Sequence, residues 1–220
     1  MVISAELVIN NILKKTNFPN VIVKDYKKFI AWYKPSTWIR TNSWCDYKKD
    51  GETVIYLKLT DYNSMEEKIV VAAHESAHAL NYAQGKIDFE LLKKKEKKNK
   101  NGIALLLFIS FFSLILYFFF HIIFGILSSI LVLMSYMYSK KRANEFTLIY
   151  CDDEHQAELR AKIELENHVL PLLSADKANS ILEECNRRIQ FSNQLGNRAF
   201  LSHFMFGLYL VLSCFIKIIF

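Results

Sequence analysis

The sequence predicts an α+β fold in which a helical core with a small β-sheet is joined to a transmembrane helical hairpin and a C-terminal transmembrane helix. An alternating pattern, TVIYLKL at 53–59, predicts a strand directly before a helix at 65–84. Residues 103–138 contain no Asp, Glu, Lys or Arg over 36 positions, and residues 199–216 contain none over 18 positions. About half of the chain therefore remains for a water-facing domain.

The N-terminal part reads as a short helix followed by strands. Ser4 precedes AELVINNILKK, whose apolar residues recur at helical spacing. NVIVKDY at 20–26 and FIAWYK at 29–34 are rich in β-branched and aromatic residues, and TWIRTNSW at 37–44 is either a strand or a loop. A small sheet is therefore expected before residue 60.

The helix at 65–84 has clear sequence signals at both ends. Ser64 and Glu67 have the spacing of a capping box, in which each side chain bonds to the other residue's backbone N–H. Gly85 stands where a left-handed C-terminal cap is expected. The sequence therefore predicts a helix with defined ends.

The apolar block at 103–138 predicts a membrane hairpin. One straight helix of this length would extend about 54 Å, against a hydrocarbon core of about 30 Å. Basic residues flank it on both sides, KKKEKKNK at 93–100 and KKR at 140–142, so the positive-inside rule places both ends on the cytoplasmic side. Two short helices turning near 121–125 fit this constraint, and a re-entrant hairpin is the alternative.

These patterns divide the chain into five parts. An N-terminal part, 1–92, contains the strand and the capped helix, and a basic linker follows it. The transmembrane hairpin is followed by two amphipathic helices and then by a C-terminal transmembrane helix. The basic linker is 93–102, the transmembrane hairpin is 103–139, the two amphipathic helices lie in 140–198, and the C-terminal transmembrane helix is 199–220.

The net charge of +6 is local, because the run at 93–100 contains six lysines and one glutamate. A lysine run directly before an apolar block favours a membrane flank, so the lipid bilayer is the expected partner, with anionic lipid at Lys93 to Lys100. Nucleic acid is not expected as a partner. The four cysteines form no C-x-x-C pair and are read as reduced thiols.

The motif HESAH at 74–78 indicates metal chemistry. Residues four apart share one face of a helix, so His74 and His78 can bind one zinc ion, and Glu75 reaches the space beside it. Two histidines and a third protein ligand leave one zinc position for water, and Glu75 would take that water's proton. The alternative is a surface helix that carries two histidines by chance.

The candidate third ligand is Glu154, in the acidic run after the apolar block. Spacing alone does not choose between it and its rivals, and a solvated acidic helix face is also consistent with the pattern. If the hairpin returns the chain to its starting side, the acidic helix can meet the histidine helix. The rivals are Asp152, Asp153, His155 and Glu158.

AAHESAHAL at 72–80, the apolar block, and TLIYCDDEHQAELRAKIEL at 147–165 together resemble the YugP-like neutral zinc metallopeptidases of bacteria. HtpX-like membrane proteases show a more distant likeness with the same order of motifs. The resemblance implies a zincin-like catalytic core with one Zn²⁺ per chain. It makes His74, His78 and Glu154 the zinc ligands and Glu75 the general base.

The resemblance also concerns two residues just beyond the third ligand. Arg160 matches a basic position that would support an oxyanion or a carboxylate, or it is a plain surface arginine. Glu158 would hydrogen-bond a ligand histidine or be a solvated helix charge. The chain departs from the family pattern at Ala77, where the family has glycine, and at Asp46-Tyr47, where it has aspartate-proline.

The expected protein is therefore an integral membrane zinc metallopeptidase that cleaves a peptide or membrane-protein substrate. Its expected location is the bacterial inner membrane, multi-pass, with the active site on the cytoplasmic face. The alternative is a catalytically silent membrane scaffold or binding protein that retains the same fold.

Overall fold

The structure, a computed structural model, is mostly helical with one three-stranded sheet. It describes residues 4–15, 21–25, 43–47, 53–57, 62, 64–119 and 122–193. The elements, in chain order, are α1 (Ala5–Lys15), β1 (Val21–Asp25), β2 (Trp44–Asp46), β3 (Thr53–Leu57), α2 (Met65–Ala83), α3 (Phe89–Phe119), α4 (Ile122–His168), a 3-10 turn (Leu170–Leu172) and α5 (helical residues 175–193).

The sheet has the strand order β1-β3-β2, with β3 in the centre. β1 runs parallel to β3, with Val23 opposite Ile55, and β2 runs antiparallel to it, with Cys45 opposite Ile55. Ile55 and Leu57 are fully buried, as the alternation of the predicted strand required.

Helix α2 begins and ends where the sequence predicted. The hydroxyl of Ser64 accepts from the backbone N–H of Glu67, and the Glu67 side chain accepts from the backbone N–H of Ser64. Gly85 follows the helix with φ of 66°, a left-handed conformation that glycine adopts without a Cβ clash. Both ends of the helix are therefore fixed by local chemistry, independently of the site.

One compact unit contains the described residues up to Phe89 together with Asp152–Asn193. Its core joins side chains from α1, β3, α2, the last part of α4, and α5. Small residues let α2 lie at the centre of this core, because alanine allows the closest approach of neighbouring backbones. The core includes Val8, Ile12, Ile55, Val70, Ala73, Ala77, Ala161, Leu165 and Ile181.

A second compact unit contains Glu90–Cys151, that is, α3 and the first part of α4. The two helices pack closely at Gly102, where an added Cβ would lie 3.5 Å from the Cα of Ser139. Lys95 Nζ donates to Glu145 Oε2 at 2.7 Å nearer the start of α3. These contacts pair early residues of α3 with late residues of this part of α4, so the helices run antiparallel.

The predicted transmembrane helices are not supported, and the fold class is corrected accordingly. No helix among the described residues combines the length and the apolar content that crossing a bilayer requires. The lysine run, expected as a separate linker at 93–102, lies inside α3, and KKR at 140–142 lies inside α4. Each long helix therefore shares its length between apolar and charged residues.

The multi-pass location in the bacterial inner membrane is corrected by the same finding. The predicted span at 199–220, the predicted strand at 29–34 and position 121 of the predicted turn lie outside the described residues. Of the segment at 37–44, the structure describes Ser43 and Trp44, and Trp44 begins β2.

Candidate metal centre

His74 and His78 lie one turn apart on α2 and are both buried. Their Nε2 atoms are 3.0 Å apart, and their rings are nearly perpendicular, with an interplanar angle of 89°. One turn of helix places both side chains on the same face, as the spacing predicted. The two Nε2 atoms therefore point to one position.

Glu154 on α4 brings a carboxylate to the same position. Its Oε2 lies 3.3 Å from His74 Nε2, and its Oε1 lies 3.8 Å from His78 Nε2. One ligand atom from each of the three residues lies within 4.8 Å of the others. Tetrahedral ligands with bonds of about 2.0–2.2 Å would be about 3.3 Å apart. His74, His78 and Glu154 are therefore placed to bind a metal ion.

The other ring nitrogen of His78 faces Asp153, which is buried. Nδ1 of His78 lies 3.1 Å from Asp153 Oδ1, and since a carboxylate only accepts, Nδ1 is the donor of this hydrogen bond and Nε2 is the nitrogen left to bind a metal. Tyr82, one turn beyond His78 on α2, donates its hydroxyl to Asp153 Oδ2 at 2.6 Å. Burial and Asp153 raise the pKa of Tyr82 far above its ordinary value, so the hydroxyl remains a donor.

The corresponding partner of His74 is Glu158. His74 Nδ1 lies 3.1 Å from Glu158 Oε1, and Arg188 on α5 donates to the same oxygen from Nε at 2.9 Å. Burial alone would raise the pKa of Glu158, but His74 and Arg188 hold it at about 2. Glu158 is therefore a buried, charged carboxylate in ion-pair contact with Nδ1 of His74, at a distance of 3.1 Å but without hydrogen-bond geometry.

Glu75 lies next to His74 on α2 and is 4 % exposed. Its Oε2 has no hydrogen-bond partner among the described residues. Burial raises the pKa of Glu75 to about 7, although His74 and His78 work against the rise. A carboxyl group with such a pKa can both accept and release a proton near neutral pH.

The electrostatic surroundings of the two histidines fit a bound cation. Burial lowers the pKa of His74, but Glu158 and Glu154 raise it well above its ordinary value. Asp153 likewise outweighs burial and raises the pKa of His78. The acidic groups therefore favour positive charge at these rings, and a divalent metal ion bound to Nε2 supplies it.

Comparisons with protein-family models, with curated proteins and with solved structures gave no match. The residues of this centre are therefore identified by their own geometry and chemistry. The resemblance to YugP-like metallopeptidases remains a prediction.

The structure separates Glu154 from its rivals in the acidic run. Asp152 is exposed, and His155 is paired with the hydroxyl of Ser192 at 3.1 Å. Asp153 and Glu158 face the Nδ1 atoms of the histidines, and Glu154 alone among these five residues belongs to the group that could hold a metal ion.

Arg160, expected either at the reaction centre or on the surface, joins two helices. Its Nη1 donates to Asn81 Oδ1 at 3.3 Å and also to Gln84 Oε1, near the end of α2. Its Nε donates to Glu164 Oε1 at 3.2 Å. Arg160 therefore fastens the end of α2 to the part of α4 that carries Glu154.

Two residues of the centre were missed by sequence reasoning. Tyr82 stands four residues after His78, so helical spacing could have placed it on the same face as both histidines. Arg188 had no comparable signal, because it is one of 28 lysines and arginines and its helix lies far along the chain.

Proposed function

We propose that this protein is a zinc-dependent peptidase that uses Glu75 as its general base. The observation that carries the proposal is the convergence of His74, His78 and Glu154 on one position. Beside it lies the buried carboxylate of Glu75, one oxygen of which has no hydrogen-bond partner in the part of the chain that the structure describes. A purely structural metal site would need no such carboxylate next to it.

Zinc is the metal that this donor set favours. Two imidazole nitrogens and one carboxylate oxygen are the donors of a common type of catalytic zinc site, in which three protein ligands leave a position for water. Hard cations such as Mg²⁺ and Ca²⁺ prefer sites built from oxygen alone. The proposal is one Zn²⁺ per chain.

Bound zinc would lower the pKa of its water and polarise a substrate carbonyl oxygen. Glu75 accepts the proton of the attacking water and delivers it to the amine that leaves. Asp153 and Glu158 keep the two imidazoles in the tautomer that leaves Nε2 free for the metal. Burial raises the pKa of Glu75 to about 7, which suits a group that accepts a proton in one step and releases it in the next.

The proposed substrate is a peptide. Tyr47, directly after β2, lies with its ring centroid 5.9 Å from that of Tyr82 on α2, so the end of β2 lies beside the histidine helix. A zinc-bound water with Glu75 beside it would be suited to hydrolyse the amide bond of a peptide. The motif order shared with YugP-like metallopeptidases supports the same substrate class.

The test is to measure zinc per chain and peptide cleavage on the same purified samples. Wild type is compared with Glu154→Ala and with Glu75→Gln, and the substrate is a mixture of fluorogenic peptides. We expect about one zinc in wild type and in Glu75→Gln, and clear loss of zinc in Glu154→Ala. Cleavage is expected only in wild type.

If Glu154→Ala contained as much zinc per chain as wild type, the result would contradict the proposed ligand set. Wild type that binds zinc but cleaves no peptide, at a rate indistinguishable from Glu75→Gln, would contradict the peptidase proposal. That second result would favour a catalytically silent metal-binding protein.

A further inference from the structure

Helix α5 contributes no ligand among the candidate metal-binding residues, yet it supplies a cation to the metal centre. Arg188 approaches Glu158 Oε1 with Nε at 2.9 Å and Nη2 at 2.8 Å. The same oxygen lies 3.1 Å from His74 Nδ1. Arg188, Glu158 and His74 therefore form a continuous series of polar contacts that ends at the metal position.

Glu158 requires such a partner because it is 5 % exposed. A buried carboxylate loses its hydration, and the loss must be offset by a counter-charge or by several hydrogen bonds. Its Oε2 has no hydrogen-bond partner among the described residues. The interactions that fix Glu158 are thus concentrated at Oε1, where Arg188 provides two of the three short contacts.

We propose that Arg188 is a positioning residue of the metal centre, which holds Glu158 against His74 and thereby holds His74 in the orientation that binds metal. The inference rests on the proposed function, since it requires a metal at His74, His78 and Glu154. It extends the centre to α5, whose sequence carries no metal-binding motif.

The two histidines would then be supported in different ways. Asp153 is held by the neutral hydroxyl of Tyr82, which α2 itself supplies one turn beyond His78. Glu158 is held by a guanidinium from a separate helix. The docking of α5 should therefore affect metal affinity by way of the orientation of His74, and not by way of the orientation of His78.

The experiment measures the affinity for Zn²⁺ by competition with a chromophoric chelator, and the visible absorption of the Co²⁺-loaded protein. Variants are Arg188→Met and Arg188→Lys, and the matched control is Arg187→Met. Arg187 directly precedes Arg188 on α5, its side chain is 68 % exposed, and it pairs with Glu184. Two further variants, Glu158→Gln and the double variant Glu158→Gln/Arg188→Met, complete a double-mutant cycle with Arg188→Met.

We expect Arg188→Met to weaken Zn²⁺ binding about 10- to 100-fold and to change the Co²⁺ spectrum, as the loss of a group that orients a metal ligand does. Arg188→Lys should retain part of the affinity, because it keeps the charge but not the two-point contact. Arg187→Met should bind like wild type. Arg188→Met should add little to the loss already caused by Glu158→Gln.

Equal Zn²⁺ affinity and equal Co²⁺ spectra in Arg188→Met and Arg187→Met would overturn the inference and leave the proposed metal site intact. An undiminished further loss in the double variant would also overturn it, because Arg188 would then act independently of Glu158. Absence of Zn²⁺ binding by wild type would instead refute the proposed function itself.

Discussion

Neighbouring acidic residues of α4 have different roles because of the helical rotation of about 100° per residue. Glu154 faces the metal position, whereas Asp153, one residue earlier, faces Nδ1 of His78. Glu158, one turn after Glu154, faces Nδ1 of His74. A short acidic run thus supplies one ligand and one orienting carboxylate for each histidine.

The first prediction concerns Glu75 as the general base. Glu75→Gln should lower kcat/KM for peptide cleavage by about 10²- to 10⁴-fold, because an amide cannot accept the proton of the attacking water. Zinc content should be unchanged, since Glu75 is not in the ligand group. Steady-state kinetics and metal analysis of the same samples test this prediction. A Glu75→Gln variant with the kcat/KM of wild type would exclude Glu75 as the base.

The second prediction concerns Asp153, which orients His78. Asp153→Ala should weaken Zn²⁺ binding about 10- to 100-fold, because Nδ1 of His78 loses its acceptor and the Tyr82 hydroxyl loses its partner. Asp152→Ala, which removes an exposed carboxylate from the adjacent position, is the matched control. Equal zinc affinity of the two variants, measured by chelator competition, would refute this role.

At the level of elements, α2 is buried along nearly its whole length from Ile69 to Tyr82. A helix surrounded by other elements needs small residues where they approach closely, and Ala72, Ala73 and Ala77 are all fully buried. The alanines around HESAH are visible in the sequence, whereas the elements that cover them are visible only in the structure.

The third prediction tests this packing. Ala77→Leu should lower the free energy of unfolding by about 1–3 kcal/mol, because three added carbon atoms must be placed in a filled core. Ala83→Leu, at an exposed position near the end of the same helix, should change stability by less than about 0.5 kcal/mol. Urea unfolding of the metal-free proteins checks it, and equal midpoints would show that the core at Ala77 has room.

The boundary predicted between residues 102 and 103 lies inside α3. The change from charged to apolar residues at this point predicts separate parts at 93–102 and 103–139. The structure instead continues one helix from Phe89 through the lysine run, because lysine and glutamate are good helix formers and no proline or cap interrupts them. A change in polarity is not a helix boundary.

In the molecule as a whole, the metal ligands come from two segments of chain that are about 75 residues apart. His74 and His78 lie in the N-terminal segment of the first compact unit, and Glu154 lies in its second segment, Asp152–Asn193. A metal bound to all three ties the segments together. Binding energy at the site therefore becomes folding energy of that unit.

The fourth prediction follows from this linkage. Free Zn²⁺ at 100 times its Kd should stabilise the protein by about 2.7 kcal/mol and raise Tm by about 5–10 °C relative to chelator-treated protein. Glu154→Ala should show little of this rise, whereas Glu75→Gln should show all of it. Thermal unfolding followed by circular dichroism checks it, and an equal rise in Glu154→Ala would mean that zinc binds elsewhere.

The sequence by itself determined features that depend on neighbours along the chain: a strand beginning at Thr53, predicted at 53–59 and observed at 53–57, the capped ends of α2, and the shared face of His74 and His78. Each follows from a period or a cap within a few residues. The tertiary structure decided which acidic residue joins the histidines, which ones orient them, and that Arg188 reaches Glu158. These depend on how distant helices dock and rotate against one another, which local periodicity does not specify. Tertiary packing buries both Glu75 and Glu158, and burial by itself raises the pKa of each carboxyl group. For Glu158 the charges of His74 and Arg188 outweigh burial, so its pKa falls, whereas the pKa of Glu75 rises.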